Sequence, residues 1–220
     1  TASGGAGIDT FMITAAAAAG SLILDDRISS IEKVTVAGTN AVDVDATDVL
    51  NALTMTGNSA NNVLIGTFFA DTMVGGAGED TLDGSGGNDT MTGGAGNDAM
   101  DGGAGDDRFV IAVVADLGAT ESITGGSGTD TLFYTYTGTA AANLTLTLGA
   151  AVDVEKVTIG TLAGSTAGVN AINVNASAML NGVTLTGNSG LNTMTGSAFD
   201  DTLIGGAGKD TLAGGLGNDT

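Results

Sequence analysis

Six consecutive nine-residue repeats run from Gly57 to Val110 and constrain the fold more than any other feature of the chain. They read GNSANNVLI, GTFFADTMV, GGAGEDTLD, GSGGNDTMT, GGAGNDAMD and GGAGDDRFV. Each copy divides into a turn and a short strand, in which an apolar position eight lies between mostly polar positions seven and nine. That alternation is the period of a half-buried strand and predicts a parallel β-solenoid. The residues expected to face inward are Leu64, Met73, Leu82, Met91, Met100 and Phe109.

The turns combine glycines with one aspartate, and this combination suits a hard cation. Glycine permits positive φ and close backbone approach, so the turn can direct its carbonyl oxygens inward. The aspartate at position six adds a carboxylate, and oxygen ligands of this kind suit Ca²⁺, which takes about six to eight of them. A flexible Gly/Asp-rich linker is the alternative, but a linker has no reason to keep position eight apolar. The sequence therefore predicts a calcium-binding array.

Two nonapeptides make one coil, so alternate turns stack on the same side of the solenoid about 4.8 Å apart. This arrangement places Asp71, Asp89 and Asp107 in one row and Asp80 and Asp98 in the other. Carboxylates ~5 Å apart repel by about 3.5 kcal/mol at an effective dielectric constant of about 20, and a divalent cation between them reverses that sign. We therefore expect the metal-free array to be largely unfolded, with binding energy serving as folding energy.

Within this scheme Asp89 is shared by two sites, whereas Asp107 ends its row. The onward neighbour of Asp98 is expected to be the turn near Asp116, which lacks glycines. Loss of Asp89 is therefore predicted to reduce calcium binding more than loss of Asp107.

A second array begins at Gly187 and reads GNSGLNTMT, GSAFDDTLI, GGAGKDTLA and GGLGNDT, so the chain is duplicated. Single nonapeptides at Gly4 and Gly125 precede the two copies. We predict a first unit over residues 1–124, with an apolar β segment and the array 57–110. The second unit covers residues 125–220, with its own apolar β segment and the truncated array 187–220.

The apolar segments are expected to continue the solenoid as coils without metal turns; a separate small β-sandwich in each unit is the alternative. The sequence IEKVTV in the first segment matches VEKVTI in the second. Lys33 and Lys156 in these matching stretches are expected to form local ion pairs with Glu32 and Glu155.

Composition restricts the function further. The chain has 25 acidic and 5 basic residues, a net charge of −20, and neither cysteine nor histidine. The charge argues against nucleic acid and anionic membranes and favours cations as partners. Because the usual bases, thiol nucleophiles and zinc ligands are missing, we expect no catalytic residues and no enzyme. No segment is long and apolar enough to predict a transmembrane span.

The nonapeptides, together with the stretch from IEKVTV into TGNSANNVL, resemble the RTX, or hemolysin-type calcium-binding, superfamily. The resemblance implies a parallel β-roll, type I secretion and folding on calcium outside the cell. It also implies that each ion is held by carbonyls two and four and the aspartate of one turn, with carbonyls one and three and the aspartate of the next. Carried over, the implied ligand sets are Gly76, Gly78 and Asp80 with Gly93, Ala95 and Asp98; Thr67, Phe69 and Asp71 with Gly84, Gly86 and Asp89; Ser85, Gly87 and Asp89 with Gly102, Ala104 and Asp107; and Ser197, Phe199 and Asp201 with Gly214, Leu216 and Asp219.

Some repeats depart from the pattern. Asn62 and Asn192 replace the aspartate in the first repeat of each array, so their sites with Asp80 and Asp210 are expected to be weaker or empty. Phe69 and Phe199 replace glycine at position four and are expected to distort those turns.

Two biological settings remain open. The first is a structural or adhesive cell-surface protein, such as an S-layer subunit, an adhesin or a matrix fibre; the second is the non-catalytic tail of an extracellular hydrolase, epimerase or cytolysin. The duplicated unit favours the first. Glycine turns of low charge density suit a calcium-rich exterior, so we expect a secreted protein. The last repeat stops at its seventh residue, and from that open strand edge we expect calcium-dependent self-association.

Overall fold

The computed structural model describes residues 5–14, 20–26, 28, 30–111, 121–135, 144–147, 153–160 and 172–220. Within these ranges the chain is all β, and it contains no helix that would be long and apolar enough to cross a bilayer. The strands in chain order are β1 (Thr10–Thr14), β2 (Gly20–Ile23), β3 (Lys33–Ala37), β4 (Val42–Asp45), β5 (Thr54–Thr56), β6 (Val63–Ile65), β7 (Thr72–Ala77), β8 (Thr81–Asp83), β9 (Thr90–Ala95), β10 (Ala99–Ala104), β11 (Arg108–Ile111), β12 (Ser122–Ser127), β13 (Thr131–Tyr134), β14 (Leu144–Thr147), β15 (Lys156–Ile159), β16 (Ile172–Asn175), β17 (Thr184–Thr186), β18 (Thr193–Thr195), β19 (Thr202–Ile204) and β20 (Thr211–Ala213).

The strands alternate between two faces of a parallel β-solenoid. One face is a ten-stranded sheet of all the odd-numbered strands, in the order β1 to β19. The other face consists of a six-stranded sheet, β2 to β12, and a four-stranded sheet, β14 to β20, each built from successive even-numbered strands. Each strand therefore pairs with the strand two places away in the chain, which confirms the predicted parallel β-roll.

The core is a set of side-chain ladders that run along the solenoid. Met73 lies directly against Met91, and Phe109 against Leu132, on the ten-stranded face. Leu64 and Leu82 stack in the same way on the opposite face. The six position-eight residues of the first array are all buried, which confirms their inward orientation: Leu64, Met73, Leu82, Met91, Met100 and Phe109.

The segments between the arrays belong to the same solenoid. In the first segment β3 pairs with β1 and β5, and β4 pairs with β2 and β6. In the second segment β15 pairs with β13 and β17. The prediction that these segments continue the solenoid is confirmed, and the β-sandwich alternative is wrong. Their apolar residues fit because they join the ladders above and below them.

Candidate metal sites

The aspartates at position six form rows that run along both sides of the solenoid. Each occupies the residue just before a strand, and its Oδ1 accepts a hydrogen bond from the backbone N–H of the row member one coil earlier. The N–H of Asp71 donates to Asp89, that of Asp89 to Asp107, and that of Asp80 to Asp98, at 2.7–2.8 Å. Each of these partners is 18 residues away, so the predicted row pairing within the first array is confirmed.

The second carboxylate oxygen of these aspartates is buried without a hydrogen-bond partner. This applies to Oδ2 of Asp80, Asp89, Asp98 and Asp107. A buried unpaired acceptor costs about 1–3 kcal/mol, and more when it is charged. A row of such atoms is therefore unfavourable unless a cation or a proton accompanies it.

The unpaired oxygens of Asp80, Asp89 and Asp107 each face a backbone carbonyl of the next coil across a position-one glycine. At Gly75, an added Cβ would lie 2.5 Å from Oδ2 of Asp80 and 2.6 Å from the carbonyl oxygen of Gly93. No side chain fits there, and two oxygens converge with no hydrogen between them. Carboxylate and carbonyl oxygens are the ligands that Ca²⁺ prefers, so the residues present fit calcium. The same juxtaposition joins Asp71 with Gly84, Asp89 with Gly102, and Asp201 with Gly214.

Burial also changes the protonation of these groups. Desolvation raises the pKa of Asp89 to about 8, and the charges of Asp71 and Asp107 add to the effect. Desolvation likewise raises the pKa of Asp80 and that of Asp107 to about 6. The pKa of Asp98 is raised by the same cause. Without a cation, the folded array therefore favours a protonated Asp89 near neutral pH, whereas Asp80 and Asp107 become protonated only as the pH falls below about 6.

The backbone oxygens of the implied ligand sets also lie in stacked turns. Gly76 pairs with Gly94, and Ser85 with Gly103, so the first and second turns of each set are in contact. The carbonyl of Ala95 accepts a hydrogen bond from the N–H of Gly78 at 2.8 Å, and a carbonyl retains a second lone pair after one such bond. Within the described ranges, no three acidic side chains converge on one point. Any ion here must therefore take carbonyl or water oxygens beside a pair of carboxylates.

The two turns with phenylalanine at position four have a different construction. The N–H of Thr67 donates to Oδ2 of Asp71, and the N–H of Ser197 donates to Oδ2 of Asp201, both at 2.6 Å. The Thr67 hydroxyl in turn accepts the N–H of Phe69 at 2.9 Å. Position four thus needs no glycine, since the hydroxyl closes the turn locally. These turns therefore differ in conformation from the glycine turns, as the phenylalanines predict. Their backbone N–H groups also donate to the carboxylate oxygen that the glycine turns leave unpaired.

The asparagines at the start of each array close their turns in a related way. Oδ1 of Asn62 accepts the N–H of Asn58 at 2.9 Å, and Oδ1 of Asn192 accepts that of Asn188 at 3.1 Å. The Nδ2 group of Asn62 donates to the carbonyl of Val42 on the previous coil. These side chains are therefore satisfied by protein groups on both sides, in keeping with the weak or empty sites expected from their lack of charge.

The row on one side continues beyond the point where the sequence pattern is interrupted. The N–H of Asp107 donates to Oδ1 of Asp130 at 2.8 Å, across 23 residues. Asp107 is therefore an interior member of its row, and the expectation that it ends the row is wrong. The nonapeptide at Gly125 indicates this continuation in the sequence. Its distance from the matching turn of the array, however, is longer than the two-repeat spacing on which the prediction relied.

The expected neighbour of Asp98 also needs correction. Ala99 pairs with Ser122, so the residue opposite Asp98 is Glu121. Asp116 lies outside the described residues. The prediction assumed a fixed coil length, whereas the coil that follows Asp98 is longer than two nonapeptides.

Comparison with known families agrees with this geometry. Residues 56–91, 74–109 and 186–220 match the family model described as RTX calcium-binding nonapeptide repeat, which spans four copies. These segments are RTX calcium-binding nonapeptide repeats. No curated protein matches the chain. The matched segments are the two arrays; the intervening coils and the RTX-like nonapeptide at Gly125 lie outside the match.

The continued row changes what is expected of substitutions in the first RTX array. Since Asp89 and Asp107 each lie between two carboxylates of the row, Asp89→Asn and Asp107→Asn should lower calcium stoichiometry by similar amounts, roughly one to two ions each. Isothermal titration calorimetry measures this directly. The matched control is Glu79→Gln, which removes one charge from an exposed residue next to Asp80 and should leave the stoichiometry unchanged. A much larger loss from Asp89→Asn than from Asp107→Asn would show that the row ends at Asp107.

Proposed function

We propose that this chain is a calcium-binding β-roll segment of a secreted structural or adhesive cell-surface protein, which folds on calcium binding outside the cell. The observation that carries the proposal is the row of buried aspartate oxygens that have no protein partner but face backbone carbonyls. Calcium supplies the missing partner. The match of both arrays to RTX repeats supports the same ligand.

The proposed sites differ in strength. The strongest are the Asp80–Asp98 and Asp89–Asp107 pairs, since both carboxylates of each pair have an unpaired buried oxygen. The sites that begin at Asp71 and at Asp201 are weaker, because those aspartates already receive an N–H bond from their own turn. The sites that begin at an asparagine, including the one with Asp210, are the weakest. The proposed ligands at each site are the turn residues implied by the resemblance.

Two features favour a structural role over catalysis. The chain has no histidine and no cysteine, and the adjacent acidic pairs Asp106–Asp107 and Asp200–Asp201 belong to the turns of the solenoid. The solenoid also repeats its turn-and-coil pattern in two units, which suits an extended load-bearing or display role. The alternative is the non-catalytic tail of an extracellular enzyme, for which the same calcium sites would support folding after secretion.

An extracellular location is part of the proposal. RTX repeat proteins are generally secreted, and the net charge of −20 makes a calcium-poor environment unfavourable for the folded state. Calcium at millimolar concentration relieves that self-repulsion, whereas cytosolic calcium is too scarce to fill sites of moderate affinity.

The purified chain provides the test. Calorimetric titration should show several calcium ions bound and little or no magnesium, because Mg²⁺ demands tight octahedral geometry and sheds water reluctantly. Sedimentation at high protein concentration in millimolar calcium should show assembly between copies. A chain that binds no calcium overturns the proposal. A calcium-loaded chain that stays strictly monomeric favours the enzyme-tail alternative, and calcium-dependent hydrolysis by the chain alone would contradict the non-catalytic role.

A further inference from the structure

Each unit contains one contact between an aspartate and a glutamate that the RTX repeat pattern does not describe. In the second unit, the N–H of Asp130 donates to Oε2 of Glu155 at 2.8 Å. In the first unit, the N–H of Asp9 donates to Oε2 of Glu32 at 2.9 Å. Both glutamates stand at the row position, just before β3 and β15, so each continues a carboxylate row outside the nonapeptide pattern.

The two contacts agree in detail. The carbonyl oxygen of Asp130 accepts the N–H groups of Glu155 and Lys156, and that of Asp9 accepts those of Glu32 and Lys33, at 3.0–3.2 Å in both copies. We call each set an Asp–Glu clip: Asp9, Ser30 and Glu32 form the first, and Asp130, Asp153 and Glu155 form the second.

The third member of each clip has an uncommon backbone conformation. Ser30 and Asp153 each stand two residues before the glutamate, and both have φ of 59°. A non-glycine residue in the left-handed region is uncommon and points to a specific requirement at that position. At Asp153 the requirement is visible: its carbonyl oxygen is turned against the α-carbon of Gly125, next to Oδ2 of Asp130.

Each clip therefore contains a carboxylate oxygen that has no hydrogen-bond partner in the protein. Oδ2 of Asp130 is buried and unpaired, and the Asp130 side chain as a whole is fully buried. Oδ2 of Asp9 is unpaired in the same way. An added Cβ on Gly125 would lie 2.5 Å from Oδ2 of Asp130, the same relation that Gly75 has to Asp80 within the array. Here, however, the facing carbonyl comes from a residue outside the nonapeptide pattern.

An ion pair does not account for the glutamates. The expected pairs between Lys33 and Glu32, and between Lys156 and Glu155, are absent from the part of the chain that the structure describes. The lysines are exposed at the first position of β3 and β15, whereas the glutamates turn toward the preceding coil to meet the aspartate N–H. The sequence expectation was wrong because adjacent residues at a strand start point in different directions.

We propose that each Asp–Glu clip is a cation site of a second kind, which takes Ca²⁺ between a nonapeptide turn and a glutamate of the following metal-free coil. Its protein ligands are the unpaired aspartate Oδ2, the carbonyl of the left-handed residue and the glutamate carboxylate; water completes the shell. The proposal rests on the proposed calcium-binding function. Its consequence is that calcium also stabilises the coils of β3 and β15, which lie outside the nonapeptide pattern.

The test compares two substitutions that each remove one negative charge. Glu155→Gln keeps an oxygen that can accept the Asp130 N–H but removes the ligand charge. Asp48→Asn is the control, because it changes an exposed side chain that lies outside both clips and both arrays. Calcium stoichiometry by calorimetry should fall by about one ion for Glu155→Gln and by about two for the double variant with Glu32→Gln, while Asp48→Asn should match the wild-type chain.

Circular dichroism in saturating calcium should show the same β signal for all of these variants. If Glu155→Gln loses that signal, Glu32→Gln carries the same comparison in the other unit. An unchanged ion count and calcium midpoint in the glutamine variants would overturn the clip sites, as would an equal loss from Asp48→Asn. A wild-type chain that binds no calcium would instead overturn the function on which the inference rests.

Discussion

Chelation of calcium at neutral pH is expected to unfold most of the β-roll. Each site contributes about 2.7 kcal/mol to the stability of the folded state when calcium is at one hundred times its dissociation constant. Several such sites together match the roughly 5–15 kcal/mol that stabilises a typical domain. Without the ions, the rows keep buried carboxylate oxygens such as those of Asp89 and Asp98 unpaired.

Far-ultraviolet circular dichroism in excess EGTA measures this effect. The β signal should collapse on chelation and return when calcium is restored in excess, while magnesium should restore little of it. The apolar ladders alone do not prevent the collapse, because they are interrupted by glycine-rich turns whose ordering is entropically costly. A native-like β signal in EGTA at neutral pH would contradict the prediction.

In calcium-free buffer, acidification is expected to restore part of the fold. An aspartate whose pKa is higher in the folded than in the unfolded chain stabilises the fold fully below the unfolded pKa and loses that contribution as pH rises through the folded pKa. For Asp80 and Asp107 the loss runs from pH 3.8 to about 6, and for Asp89 it runs to about 8. A proton thus replaces calcium at the unpaired oxygen.

The expected size of this effect is large. Ionisation of Asp80 or of Asp107 costs the calcium-free fold about 3 kcal/mol each, since one pKa unit corresponds to about 1.36 kcal/mol. The far-ultraviolet β signal in EGTA should therefore rise as pH falls from about 8 to about 5. In saturating calcium the dependence of stability on pH should reverse, so that acidification destabilises the fold, because protons compete with calcium for the same oxygens.

Asp89→Asn provides a sharp control for this pH effect. The amide cannot ionise, so in EGTA at about pH 8 the variant should retain more β signal than the wild-type chain and should respond less to acidification. In saturating calcium it should be less stable, because a ligand charge is lost. Asp48→Asn, which changes an exposed side chain outside the aspartate rows, should follow the wild-type chain in both conditions. Equal pH profiles for Asp89→Asn and the wild-type chain would show that Asp89 does not titrate as proposed.

The sequence was sufficient for the fold and for the repeating part of the candidate sites. The nonapeptide period located the strands of both arrays, and the apolar position eight identified core residues such as Met91 and Phe109. The constant spacing also placed Asp71, Asp89 and Asp107 in one row. These predictions succeed because each repeat forms the same local structure and stacks on a neighbour with the same period.

The tertiary structure was needed wherever the coil length changes or a turn closes on itself. Asp107 meets Asp130 across 23 residues, and Asp130 meets Glu155 across 25, where the array itself has 18. The role of Thr67 in satisfying Asp71 likewise depends on the side-chain hydrogen bond that closes that turn. Sequence spacing reports neighbours only while every coil has the same length; once residues are inserted, the backbone pairing between coils alone determines which carboxylates face each other.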